Sequence, residues 1–159
     1  MGEAAGDSLS SADRETEERQ VDPAAARALF ETARVARLAT VGAGGRPHIV
    51  PITFALERDT LYTAVDDKPK RTVRLRRLEH VAANEHVSVL ADHYQDDWSR
   101  LWWARADGVA RIVVSGQPEH RHAVELLQGR YDQYRHRPPA GPAIAVAVRS
   151  WSGWRAAGG

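Results

Sequence analysis

The sequence has no cysteine, one methionine, two phenylalanines and only two lysines among its 159 residues. Without cysteine there is no disulfide framework, no thiolate nucleophile and no Cys-ligated metal site, which suits a reducing cytoplasm. No stretch approaches the ~18 consecutive apolar residues of a membrane helix, and the N-terminus lacks a signal peptide's apolar segment, so a cytoplasmic protein without membrane contact is expected. Net charge is almost absent as well: 22 Lys and Arg oppose 21 Asp and Glu, for a formal +1. The length supports one domain with a real core.

The small net charge averages two unlike segments. Residues 1–22 hold seven acids against Arg14 and Arg19, about −5, which leaves residues 23–159 with 20 basic and 14 acidic residues, +6. Residues 1–21 are rich in Gly, Ala, Ser and acids, with Leu9 and Val21 as the sizeable apolar residues, and read as a disordered acidic tail. The domain itself, 22–159, is basic. Its cations are nearly all arginine; both lysines, Lys68 and Lys70, fall in the single segment Asp66-Asp-Lys-Pro-Lys-Arg71.

Asp22-Pro23 predicts an N-cap followed by proline in the first helical turn, with a helix through Ala24–Arg34. From Val35 the period changes to two. Strands are predicted at Val35–Val41, His48–Phe54 and Thr60–Val65, joined by Gly42–Gly45 and Glu57–Asp59 turns as an antiparallel meander. Pro51 donates no ladder hydrogen bond, so its strand should lie at an edge or carry a bulge. A helix is predicted from Thr72 to about Asn84, a strand at Val87–Ala91, and one hairpin or one long bent strand over Arg100–Val114. Glu119 to about Tyr134 reads as a helix, and Ala143–Trp154 as the last strand. The expectation is an α+β fold: a six- to seven-stranded antiparallel split barrel with two or three flanking helices.

Conventional catalytic motifs are missing. Gly42-Ala-Gly-Gly-Arg-Pro47 has proline where a dinucleotide loop needs its third glycine, and a strand follows it, so it reads as a hairpin turn. There is no G-x-S-x-G elbow. His120 and His122 are two apart on a predicted helix and do not share a face, so they read as solvated helix residues and not as metal ligands.

Two segments carry chemistry. Lys68-Pro-Lys-Arg71 lies between a strand end and a helix start, where cations and free backbone N–H groups gather; phosphate or carboxylate recognition suits it. A solvated basic helix start is the alternative, and nucleic-acid binding through Arg71, Arg74, Arg76 and Arg77 is a weaker one. The second segment, Asp92–Arg105, holds Trp98, Trp102 and Trp103. Adjacent strand residues face opposite ways, so Trp102 and Trp103 cannot share one core, and one of them should meet a second subunit or a flat ligand.

These pieces, in this order, resemble the split-barrel flavin- and deazaflavin-binding proteins related to pyridoxamine 5′-phosphate oxidase, most closely their actinobacterial branch of coenzyme F420-dependent enzymes. The resemblance rests on Ala36–Val41, Gly45–Phe54, Thr63–Arg71, Asn84–Leu90, Asp92–Arg105, Gly108 and Trp151-Ser-Gly-Trp-Arg155. It implies a homodimer binding two cofactors between the barrels and transferring a hydride to or from a small organic substrate. It further implies that Lys68, Lys70 and Arg71 hold the cofactor phosphate, and that Pro51, Ile52, Thr53, Thr63 and Ala64 line its ring. The partner would add residues from the tryptophan segment, such as Trp98 and Trp103. No catalytic side chain and no metal are implied, because the cofactor carries the chemistry. Relatives with the same barrel use FMN, bind haem, or bind a cofactor without known turnover, so FMN dependence or a non-catalytic flavin- or haem-binding dimer are the alternatives.

Overall fold

The computed structural model describes residues 20–65 and 71–157, with side chains from residue 76 onward in the second of these segments. Helix α1 spans Pro23–Thr32; the Asp22 carboxylate accepts the Ala25 N–H at 2.8 Å, and proline opens the first turn, as the sequence predicts. It buries Ala26 and Phe30. Residues 1–19 of the expected tail lie outside the described residues, whereas Gln20 bridges to Trp154 and the Val21 N–H donates to the Gly153 carbonyl at 3.1 Å.

Seven strands follow: β1 (Ala36–Val41), β2 (Pro47–Ile52), β3 (Ala55–Glu57), β4 (Thr60–Ala64), β5 (His86–His93), β6 (Trp102–Val113) and β7 (Ala143–Arg155). All pair antiparallel in one sheet of order β2-β1-β5-β6-β7-β4-β3. Among the described residues four α-helices flank it, α1, α2 (Arg71–Ala83), α3 (Pro118–Arg130) and α4 (Asp132–His136), with a 3₁₀ turn at Trp98–Arg100. The expected α+β split barrel is thus present.

Three local expectations need correcting. The predicted meander stops after one hairpin: β1 and β2 pair, but β3 pairs with β4 at the opposite end of the sheet. The chain leaves β2 at Thr53-Phe54, where two tyrosines of the α3–α4 corner capture it. Thr53 Oγ1 lies 2.7 Å from the Tyr134 hydroxyl, and the Tyr131 hydroxyl accepts the Phe54 N–H at 3.1 Å. A backbone amide bonded in this way has no need of a ladder partner. The predicted helix through Tyr134 is two helices, because Tyr131 takes extended dihedrals (φ −127°, ψ 119°) between α3 and α4. His120 is buried and not solvated, its Nε2 lying 2.8 Å from the Gly141 carbonyl oxygen.

Other expectations are met directly. Pro51 sits on β2, at one end of the sheet order, where a missing N–H is tolerated. The segment around Trp102 is one long strand, β6, with a register shift between Asp107 and Gly108. Alternation sets the core: Leu38, Ile52, Val89, Ala104, Ala106, Ile144 and Val146 are buried in one cluster with α1. The Phe30 ring packs 4.8 Å from Phe54 and edge-on at 5.2 Å to Trp151.

Candidate functional site

The face of β2, β1, β5 and β6 opposite the core carries exposed apolar side chains and two arginines. Strand alternation puts Arg37, Ile49, Pro51, Leu90, Trp103 and Arg105 there, while their neighbours Leu38, Val89 and Ala104 go inside. Ile49 is 65% exposed and Leu90 37%, an apolar patch on a strand-rich face. Trp103 is half-buried and, with Leu90, Asp92, Tyr94 and Arg105, lines a hollow of about 420 Å³. Trp102, its sequence neighbour, packs against the core cluster instead, as the alternation argument requires.

Ion pairs fix the polar groups of this face. Arg37 Nη1 lies 2.7 Å from Asp92 Oδ1, and Arg105 Nε 2.8 Å from Asp107 Oδ2, while the Ser88 hydroxyl donates to the other Asp107 oxygen at 2.5 Å. These pairs are partly exposed and add little stability, but they orient both guanidinium groups on an otherwise apolar surface. Beside it a cleft of about 660 Å³ is lined by Arg34, Arg37, His93, Arg100, Trp102 and Arg155 together with Asp92. His93 stacks on Trp102, centroids 6.4 Å apart at 20°. Flat apolar surface beside several guanidinium groups suits a planar ligand that carries anionic substituents.

The residues singled out from the sequence are distributed unevenly around this site. Pro51 and Trp103 share the outer face. Ile52, Thr63 and Ala64 have buried side chains: Ile52 in the core, Ala64 against Leu127, Tyr131 and Tyr134, and Thr63 only 1% exposed. A ring near these three would meet backbone. The Thr63 hydroxyl is buried without a hydrogen-bond partner among the described residues. Thr53 is engaged with Tyr134. Trp98, 76% exposed on its 3₁₀ turn, lines neither the Trp103 hollow nor the arginine cleft. Lys68 and Lys70 lie outside the described residues, and Arg71 is the first residue of α2, its side chain undescribed.

Sequence reasoning missed Arg34, Arg37 and His93, which come from α1's exit, β1 and β5. Arg37 could have been found: it alternates with buried Ala36 and Leu38, so it had to face outward. Among the described residues no cluster of three His, Asp or Glu is placed to hold a metal, and no helix is long and apolar enough to cross a membrane.

The seven-stranded antiparallel sheet with its four flanking helices defines an α+β split barrel, here with an apolar outer face edged by arginines. A sequence model of the family described as pyridoxamine 5′-phosphate oxidase matches residues 22–155, and the chain belongs to that family. Among solved structures it is similar to a FAD-binding protein from Mesorhizobium loti, with 22% identity, TM-score 0.64, and coverage of 85% of this chain and 95% of that one. It is similar also to a haem storage protein from Vibrio cholerae (15% identity, TM-score 0.62, 81% and 92% covered). A FAD-binding protein from Mycobacterium smegmatis gives 19% identity, TM-score 0.55, and 84% and 96% covered. At such identities the likeness is one of fold. No curated protein matches the sequence.

Proposed function

We propose that this chain is an F420-dependent oxidoreductase, working as a homodimer that transfers a hydride between the deazaflavin and a small organic substrate. The observation that carries the reading is the outer face, where exposed Ile49, Pro51 and Leu90, with half-buried Trp103, form an apolar surface edged by Arg37 and Arg105. A second copy on this face would cover its apolar groups and leave a seam for a flat ring, with the guanidinium groups at its edge. The segment Lys68-Pro-Lys-Arg71 adds a phosphate anchor close in sequence to β4 and at the start of α2. The bound deazaflavin supplies the hydride; the chain's own residues bind it, orient it and keep water from the seam.

An FMN-dependent reading draws support from the family and from the two similar FAD-binding proteins; a non-catalytic haem-binding dimer draws it from the haem storage protein. Fold likeness alone does not rank them. Titration of the purified protein with F420, FMN and haemin, followed by fluorescence and by the haem absorption band, separates the three. Tightest binding of F420, with oxidation of the reduced form when an acceptor is added, is the expected result. Tighter FMN or haemin binding overturns the deazaflavin assignment.

A further inference from the structure

A separate cavity lies between the β1–β2 hairpin and the second half of α2. It is open to solvent on one side and holds about 580 Å³, and its lining includes Gly42, Arg46, His48, Arg76, Glu79 and His80. The strand register builds it. Thr40 on β1 pairs with His48 on β2, and His80 of α2 meets both. Thr40 Oγ1 lies 3.1 Å from His80 Nδ1, and the two imidazoles meet edge to face with centroids 5.2 Å apart. Gly42 permits this: a Cβ there would come within 2.8 Å of His80 Cδ2, so any other residue would push the ring out.

The charges around the cavity are unbalanced. Arg46 comes from the hairpin, Arg76 and Arg77 from the helix, and Glu79 is the one carboxylate among the lining residues. Among the described residues Arg46 and Arg76 take part in no ion pair. His48 Nδ1 is shut off from solvent and has no hydrogen-bond partner there. A cation would face the arginines, and no metal-holding cluster is present among the described residues. The lining offers an anion two guanidinium groups, from the hairpin and the helix, together with two imidazoles.

We infer that this cavity is an anion site, distinct from the outer face, which takes the phosphate or carboxylate group of a small molecule between Arg46, Arg76 and the His48–His80 pair. Thr40 fixes the His80 ring, and His48 acts as the proton-coupled member. Burial, then His80, Arg77 and Arg76, holds the His48 imidazolium pKa below its ordinary value, so His48 is neutral in the empty site at neutral pH. A bound anion favours the charged form and raises that pKa. Occupancy therefore takes up a proton, and affinity rises as pH falls through the His48 range.

The test follows the His48 and His80 imidazole resonances of the full chain by NMR as pH is varied. Sulfate serves as a non-titrating stand-in for phosphate, glutarate as the carboxylate probe, and sodium chloride as a control at equal ionic strength. The expected result is an upward move of the His48 midpoint by about one pH unit, a tenfold coupling, with sulfate or with glutarate and not with chloride. The probe giving the larger move names the ligand class. Arg46→Gln with Arg76→Gln, both exposed and outside the core, should abolish it. No move with either probe, an equal move with chloride, or a move that survives in the double variant overturns the site. No cofactor enters the measurement, so its outcome and that of the F420 titration are independent.

Discussion

The Tyr131 hydroxyl stands 3.1 Å from the Phe54 amide nitrogen and 3.0 Å from the Phe54 carbonyl oxygen, closing both backbone groups of one residue with one side chain. It also lies 2.9 Å from the Arg34 carbonyl, so the end of α3 is tied to two distant loops. Tyr131→Phe leaves buried Phe54 groups without this partner. The expected loss is about 1–3 kcal/mol, read as a lower urea midpoint at unchanged slope.

Glu119 accepts from Arg111 Nη1 at 2.7 Å through one oxygen and from the Tyr62 hydroxyl at 3.1 Å through the other. The Arg111 hydrogen bond is the main reason its carboxyl titrates below the ordinary range. The folded pKa is thus depressed, so the stabilisation is present above the unfolded carboxylate value of about 4.3 and is lost as pH falls through the lower folded value. Urea midpoints measured from neutral pH down to about pH 3 should fall less steeply in Glu119→Gln than in the natural chain. Parallel curves would show that the group contributes nothing there.

Gly108 follows the register shift in β6, and a Cβ at this position overlaps the Ala147 carbonyl oxygen of β7. Backbone offers no rotamer by which to move away. Gly108→Ala should lower stability by ~1–3 kcal/mol, seen in thermal unfolding, whereas Gly44→Ala, where nothing lies within 4 Å, should be nearly silent.

If the outer face joins two copies, Ile49→Glu places charges at the centre of its apolar patch. Light scattering should then report a monomer where the natural chain gives a dimer, with the circular dichroism spectrum unchanged. A dimer that persists in the variant removes this face from the interface.

Lys68→Ala with Lys70→Ala removes two cations from the proposed phosphate anchor. Charge-assisted hydrogen bonds are worth about 1.5–3 kcal/mol each, so F420 affinity should drop by at least tenfold, and by more at low salt than at high salt. An unchanged dissociation constant would deny both lysines their role.

Features governed by neighbours in the chain were legible from the sequence. Asp22-Pro23 announced the start of α1, the alternation in Ala36–Val41 sorted Arg37 from Leu38, and Pro51 marked an edge strand. The opposed faces of Trp102 and Trp103 followed from pleat geometry alone. Features governed by distant partners were not. Nothing between Ile49 and Thr60 signals that the chain crosses to the other end of the sheet, because the groups that stop β2 are Tyr131 and Tyr134, 77 and 81 residues away from the backbone and hydroxyl they bind. His120 looked solvated because its partner, the Gly141 carbonyl, comes from beyond the helix. The His48–His80 cavity was hidden for the same reason: its walls come from a hairpin and a helix that each look ordinary alone.

The order of strands has a consequence for synthesis. Strand β4 is flanked by β3 and by β7, the last strand among the described residues. A ribosome releases β3 and β4 long before Ala143–Arg155, so this short hairpin and the β2-β1-β5-β6 portion each wait with one edge unpaired until β7 emerges. Such an edge invites pairing with other chains. The 13-residue β7 is thus the strand that closes two edges at once: without it, β4 and β6 would each present unpaired backbone.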